Sequence, residues 1–414
     1  MGVRDAWQAL WRTKQSAGGP LLVRAGIGQP RFTPRRYDRL AEEGYRKNVI
    51  AYRCVRLIAQ NAAAVPWRLS HRRGGRRQLA EHPLIDLLSR PNPMQGGAEL
   101  FDALYQFFLI AGNSFLEAVG PERRPPRELW TLRPDRMTVI PGPRGLPRAY
   151  RFSVGGEHLD FSVDPLTGQA AVLHIKLFHS LNDWYGMSPL EAAAYSIDQH
   201  NEAGRWNTAL LQNSARPSGA LVYAPKGGGQ EVLSDTQREA LKAELRAFSQ
   251  GGANAGEVPV FEGGLEWREM SLSPKDMDWL AGKDMSAREI ALAYNVPPQL
   301  VGIEGSLTFA NFEQARLSLY EDAVLPLLDM VTDELNNWLV PAFGDDLSLD
   351  FDRDEIPALA PRRAKVWARI GAANFLTPNE KRALVGLAPL PAGVDVAPAA
   401  QAPDKPSEAV TPVG

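Results

Sequence analysis

The stretch Gly186–Asn213 reads GMSPLEAAAYSIDQHNEAGRWNTALLQN, and its reading decides the fold. Ser188 is a good helix N-cap, Pro189 suits the first helical position, and Glu191 completes a Ser-x-x-Glu capping box. The next proline is Pro217, so the spacing predicts an unbroken helix of ~26 residues, roughly 39 Å long. Its best seam runs Leu190, Ala194, Ile197, Asn201, Gly204, Thr208, Leu211. The ends of that seam are apolar and its middle is small and polar. A helix buried in the core of its own subunit carries a broader apolar stripe. The pattern predicts a pillar packed largely against copies of itself in other subunits. A long surface helix on an ordinary domain is the alternative.

The whole chain has 414 residues, room for two or three domains, and is 44% hydrophobic and 23% charged, as soluble globular proteins are. Its one cysteine, Cys54, excludes an internal disulfide and a cysteine-based zinc cage. On an apolar helix face, Cys54 reads as a small core residue. Met1 to Ala17 has no apolar core of signal-peptide type, and no uncharged apolar run reaches membrane-spanning length. The expectation is a soluble protein made in the cytoplasm, without a membrane partner. The net charge of -2 is unevenly placed: residues 1–90 hold 18 Lys+Arg against 6 Asp+Glu, and the remainder 28 against 42. A basic first fifth suits nucleic acid, an acidic neighbouring subunit or a solvated arm. The cations lack interleaved aromatics for base stacking, which favours the second and third.

In chain order, residues 1–44 read as an irregular arm broken by Pro20, Pro30, Pro34 and glycines. A helix starts at Asn48 and ends at Pro66, and Val65–Leu69 begins a strand. Arg72 to Arg77 forms a hairpin tip. A helix follows over Glu99–Ala111 with Gly112 as C-cap, then strands at Ser114–Val119, Glu128–Leu132, Met137–Ile140, Tyr150–Val154 and Val172–Leu177. Helices before several short strands give an α+β domain. After the pillar comes a compact insert: a strand at Ala220–Tyr223, a helix carrying Leu241, Leu245 and Phe248, and a hairpin of Val258–Phe261 with Leu265–Arg268. A second long helix starts at Ser273-Pro274 and stops before Pro297-Pro298. A glycine-containing loop, Gly302 to Ala310, leads to a third long helix, Asn311–Leu339, which Pro326 should kink near Glu321–Asp322. A strand at Leu347–Phe351 and two short helices follow, the second capped by Thr377-Pro378-Asn379-Glu380. From Pro391 the chain is rich in proline and alanine, the composition of a disordered tail.

No catalytic constellation emerges. There is no phosphate-cradling Gly-x-x-x-x-Gly-Lys-Ser/Thr, Gly26-Ile27-Gly28 lacks a third glycine, and none of the six histidines forms His-Glu-x-x-His. His174 and His179, in or near a strand, read as structural. Asp350-x-Asp352-x-Asp354 resembles the start of a calcium loop, but Glu355 stands where a glycine is required and Pro361 where a final glutamate is. Neither a catalytic residue, a metal nor a cofactor is expected.

Several segments, taken together and in order, resemble the portal proteins of tailed bacteriophages, and the compact length is similar to portals of phage-derived gene transfer agents. They are Asn48 to Leu69; His82-Pro83-Leu84 through Pro91-Asn92-Pro93; Ala111-Gly112-Asn113-Ser114-Phe115; Leu129-Trp130-x-Leu132-x-Pro134-Asp135-Arg136; and Leu173-His174-Ile175. Gly186-Met187-Ser188-Pro189-Leu190, Val296 to Gly302, Asn311-Phe312-Glu313-Gln314 and Leu376 to Arg382 complete the series. The resemblance implies a dodecameric ring at one capsid vertex through which double-stranded DNA enters and leaves. It implies an α+β portal fold: arm 1–44, wing 45–187 and 311–357, stem helices 188–214 and 273–296, clip 215–272, tunnel loop 297–310, crown 358–390 and tail 391–414. It also implies, as partners, the major capsid protein, the large subunit of the packaging terminase and a head–tail adaptor. The protein would be in the host cytoplasm during assembly and then in the particle.

Candidate residues follow from that layout. Ser306, Leu307, Thr308 and Phe309 would face the channel, although Leu307 and Phe309 also read as core anchors. Arg205, Lys283 and Arg288 would line the stem, and Leu241, Leu245, Phe248 and Trp267 would form the docking face of the clip. Residues 188–300 hold 10 Lys+Arg against 15 Asp+Glu, a balance suited to passage of DNA rather than its retention. A metal-dependent nucleic-acid enzyme using the aspartates near Asp350, or another capsid or tail scaffold, are the alternative readings.

Overall fold

The computed structural model describes residues 37–72, 78–79, 81–121, 125–212, 219–223, 235–236, 239–240, 243, 265–269, 279–303, 309–385, 387 and 390. The hairpin tip, most of the arm and the tail from Pro391 lie outside them. The first half of the chain gives α1 (Val49–Ala63), β1 (Trp67–His71), β2 (Gln78–Leu79), α2 (Pro83–Ser89), α3 (Gly97–Ala111), β3 (Asn113–Val119), β4 (Glu128–Leu132), β5 (Met137–Pro141), β6 (Pro147–Val154), β7 (Glu157–Ser162) and β8 (Val172–Lys176). The second half gives α4 (Pro189–Ala192), α5 (Ala194–Gln212), β9 (Gly219–Tyr223), β10 (Leu265–Glu269), α6 (Trp279–Ala293), α7 (Phe309–Leu319), α8 (Leu325–Trp338), β11 (Leu347–Phe351), α9 (Ala360–Ala372) and α10 (Pro378–Leu384). The architecture is α+β. Among the described residues, no helix is long and apolar enough to cross a membrane. The chain divides into two compact units, residues 1–52 with 188–290, and residues 53–187 with 291–414.

In the first unit, Ser188 caps the pillar as expected, its Oγ accepting from the Leu190 N–H at 3.0 Å. The expected unbroken helix is nevertheless split. The Glu191 N–H closes on the Ser188 carbonyl, a tight first turn, and Ala193 leaves helical geometry at φ -87, ψ 6 before α5 resumes. Leu190, Ala194 and Ile197 of the seam are buried, and Thr208 is exposed. The polar middle of the seam has partners in its own chain. Buried Asn48 caps α1, its Oδ1 accepting from the Ile50 and Ala51 N–H groups at 3.1 Å each. Its Nδ2 donates to Asn201 Oδ1 at 3.1 Å and lies 3.2 Å from His200 Nδ1, while Asn201 Nδ2 donates to the Glu43 carbonyl at 2.9 Å. The segment read as irregular arm is helical from Tyr37, with a π-helix over Leu40–Arg46. A Cβ on Gly44 would come within 3.0 Å of Leu190 Cδ2, so this glycine lets the π-helix approach the pillar. On the pillar's other side, α6 joins α5 through Ser196 Oγ to Glu289 Oε2 at 2.6 Å, and through Ser286 Oγ to Gln199 Oε1 at 3.3 Å.

The second unit holds three antiparallel three-stranded sheets, in the orders β4-β3-β8, β5-β6-β7 and β11-β1-β2. Phe115, Leu132, Met137 and Val172 form a core cluster against which Tyr150, Phe152 and Phe161 pack. β7 and α2 had no counterpart in the sequence reading. β7 has five exposed residues of six and so lacks the apolar alternation that marks a half-buried strand. His82 caps α2 with its ring, Nδ1 accepting from Leu84 N–H, an unusual cap that composition rules do not flag. Gly112 is the expected C-cap of α3, at φ 69 with its N–H on the Phe108 carbonyl. The last turn of α6 closes in a Schellman motif: Val296 N–H reaches the Ala291 carbonyl, Asn295 N–H reaches the Leu292 carbonyl, both at 3.0 Å, and Asn295 adopts φ 52. Pro297-Pro298 then ends the helical path. Pro326 deforms its helix as expected, but by a π segment, Tyr320–Val324, rather than a simple kink. Lacking an N–H, Pro326 cannot engage the Asp322 carbonyl, and Asn295 Nδ2 donates to it at 3.4 Å. In the C-terminal part, the Thr377–Glu380 capping box is formed in both directions.

Two outcomes test this account. Asn48→Ala removes a cap and four buried polar contacts, so stability in urea should fall by about 2 kcal/mol; a loss under about 0.5 kcal/mol would mean the network is not coupled to folding. His174 is held down to about 3, by burial first and Lys176 second. It stays neutral when folded, stacked on Phe115 at 4.2 Å, and takes up a proton on unfolding below pH ~6.5. Its stabilising contribution is therefore complete above pH ~6.5 and is lost as pH falls towards 3. Between pH 6 and 5 it should contribute a slope approaching ~1.4 kcal/mol per pH unit, which His174→Gln should remove. An unchanged slope in that variant, measured by denaturant midpoints, would refute the assignment.

Candidate functional site

The pillar face of the first unit carries a cavity of about 630 Å³, whose lining includes Lys47, His200, Asn201, Arg205, Asn207 and Lys283. Two of the three cationic candidates, Arg205 and Lys283, thus meet at one site. Arg205 is held by an ion pair to Glu43 at 2.9 Å and by another to Glu202. Lys47 reaches Glu43 at 2.8 Å and Glu42 at 3.2 Å. The Glu43 carboxyl is lowered, chiefly by the Lys47 hydrogen bond and further by Arg205. The His200 imidazole is also pushed down, by burial and then by Lys283, so it is neutral at pH 7. Arg288 is not part of this lining; its Nε pairs with Asp284 one turn back, at 2.9 Å. Exposed pairs of this kind hold side chains in place and add little stability.

The remaining candidates fall in two places. Ser306, Leu307 and Thr308 lie outside the described residues. Phe309 and Ala310, expected in the loop, belong instead to the first turn of α7. The approach is tighter than an open loop: Pro298–Val301 is a 3-10 turn, Gly302 follows at φ 81, and Ile303 is buried. In the insert, Leu241, Leu245 and Phe248 lie outside the described residues. Trp267 sits in β10 opposite Leu221 of β9, an antiparallel pair running from Leu265↔Tyr223 to Glu269↔Gly219. The other expected partner of that strand, Val258–Phe261, is not described.

The aspartates considered for a metal have partners in the protein. Asp352 is nearly buried and pairs with Arg68 Nε at 2.7 Å, and Asp350 Oδ1 accepts from the Phe351 N–H. Among the described residues, no three His, Cys, Asp or Glu side chains gather as a metal site would need. Cys54 is buried and its thiol pushed up to about 12 by desolvation, as a core cysteine would be.

The joints between the short sequence motifs are the residues that composition and spacing missed. Asn113 Oδ1 accepts from the Gly186 N–H at 2.7 Å and its Nδ2 donates back to the Gly186 carbonyl at 3.1 Å. Asn92 Nδ2 donates to the Leu129 carbonyl at 3.0 Å, and Leu129 N–H donates to the Pro91 carbonyl at 2.7 Å. The only signal for either was the recurrence of these residues within the segments that resemble portals.

The sequence pattern of the family described as phage portal protein matches residues 50–386. A protein of Rickettsia bellii is 45% identical over 386 residues, covering 93% of this chain and 97% of that protein. The probable portal protein of Streptomyces phage phiC31 is 27% identical over 359 residues, covering 82% of this chain and 74% of its own. Among solved structures, a chain in the neck of an empty gene transfer agent (GTA) particle, in sixfold symmetry, is 46% identical with a TM-score of 0.67, over 88% of this chain and 97% of that one. A chain in the neck of a native GTA particle, in twelvefold symmetry, has 45% identity and a TM-score of 0.65. A pattern that takes in both compact units, from the first turn of α1 to the end of α10, establishes that the chain belongs to the phage portal protein family.

Proposed function

We propose that copies of this chain close into a twelve-membered ring at one capsid vertex and form the conduit for double-stranded DNA during packaging and ejection, in a particle of the gene-transfer-agent type. The observation that carries this reading is the 45% identity to a chain in the twelvefold neck of a native GTA particle. The lower identity to a phage portal, 27%, favours the gene-transfer-agent form over a free phage. The role is structural rather than enzymatic. The wing comprises 45–187 and 311–357, the stem 188–214 and 273–296, the clip 215–272, the tunnel loop 297–310 and the crown 358–390. The wing would meet the major capsid protein. The clip would receive the large terminase subunit during packaging and the head–tail adaptor afterwards, with Leu241, Leu245, Phe248 and Trp267 as its docking set. Ser306, Leu307, Thr308 and Phe309 would narrow the channel, and Lys283 and Arg288 would line the stem. The ion pairs of Arg205 assign it to holding the π-helix beside the pillar at least as much as to the channel.

Assembly is the first test. Purified protein should give closed rings by mass photometry and electron microscopy, because a head-to-tail contact closes only when its rotation divides the circle. A monodisperse monomer across salt conditions would sink the proposal. Deletion of 220–268, with a short linker between the stem helices, should keep the ring and abolish motor and adaptor docking. Packaging that survives the deletion would refute the clip assignment.

A further inference from the structure

Residues 358–390 carry six Lys+Arg against one acidic residue, Glu380, in a chain whose net charge is -2. That one carboxylate is engaged locally, accepting from the Thr377 N–H and hydroxyl at 2.7 Å each. The helix α9 has no buried residue. Its cations are not scattered around it. At 100° per residue, Arg362, Lys365 and Arg369 fall within an arc of about 60°. The half-covered positions Val366, Ile370 and Ala373 lie on the adjoining face.

The cations have different local duties. Arg362 pairs with Glu321, Lys381 donates to the Gly371 carbonyl at 2.9 Å, and the Arg363 guanidinium lies 5.9 Å from the Trp367 ring centroid. Lys365 and Arg369 are exposed and point along the same row. They are one helical turn apart, about 6 Å along the axis. One strand of B-form DNA offers a phosphate every ~3.4 Å, so the two can meet different phosphates of one duplex. A concentrated positive row on a solvent-facing helix is complementary to a polyanion.

We propose that the helix pair α9–α10 is a binding surface for the phosphate backbone of double-stranded DNA, with Lys365 and Arg369 as its principal contacts. The choice of DNA among polyanions rests on the conduit reading above. It gives the protein two kinds of DNA contact: a stem whose balance is acidic and lets the duplex pass, and a basic surface that holds it without reading its sequence.

The test uses the full-length protein and a fluorescent 30-base-pair duplex, titrated at a series of salt concentrations between 50 and 200 mM. Wild-type affinity should fall linearly with salt on logarithmic axes. Lys365→Gln with Arg369→Gln should reduce that slope by about 1.8, or ~0.9 per lost phosphate contact, and weaken binding at least tenfold at 50 mM salt. Arg127→Gln with Arg148→Gln, the same charge change at two exposed wing positions, should leave both quantities unchanged. Equal losses in the two variants, or no duplex binding by the wild type, would overturn the proposal. So would loss of binding to vesicles of anionic phospholipid with duplex binding intact, since a basic amphipathic helix can also lie on a membrane. Mass photometry on the same samples separates the two readings. Rings with an unchanged slope in the Lys365/Arg369 variant refute the DNA surface alone, whereas absence of rings refutes the conduit.

Discussion

The side chain of Asn113 is the joint on which the second unit depends. It closes a two-way hydrogen bond with the backbone of Gly186, donates to the Ala111 carbonyl at 2.8 Å, and lies 3.0 Å from His174 Nε2. One amide thereby ties the end of α3, the start of β3, strand β8 and the residue two before the pillar's cap. Gly186 has no alternative. A Cβ there would lie 2.1 Å from the Gly112 carbonyl oxygen and 2.5 Å from the Leu177 nitrogen. The joint is dry, so a lost partner leaves a buried polar group unsatisfied rather than hydrated.

The same solution recurs. Asn92 takes the Leu129 carbonyl with its amide and the Met94 and Gln95 N–H groups with its oxygen. Asn336 pairs with both backbone groups of Leu349 on β11, at 2.7 and 2.9 Å. Asn48 caps α1 and reaches the pillar. Asparagine carries a donor and an acceptor in the geometry of a peptide group, so it can complete a backbone pair where the chain turns away. Apolar burial supplies much of the cohesion, and these amides determine which turn meets which strand.

What could be read in advance was local. The αL cap at Gly112, the Thr377 capping box, the stop at Pro297-Pro298 and the disturbance before Pro326 depend on a few neighbouring residues, and each is present. The break at Ala193, the helical stretch from Tyr37 and the ring cap of His82 depend on distant or unusual partners, and were not legible. Arg205 shows the limit most clearly for the site. Its charge suggested a stem-lining role, but its ion-pair partner Glu43 is 162 residues away in sequence. Periodicity reports which face of a helix is apolar, but not which charge stands opposite it.

The π segment Tyr320–Val324 is, geometrically, one residue too many in an otherwise α-helical run. Such a segment is a reservoir of length. Removing a single residue there would restore ordinary α-helical winding and turn everything downstream by about 100° relative to what precedes it. Buried Leu327, Leu328, Val331 and Leu335 would then leave their contacts together. The extra residue therefore sets the phase between α7 and α8, and the two helices can be tuned against each other by changes in chain length as well as by changes in side chains.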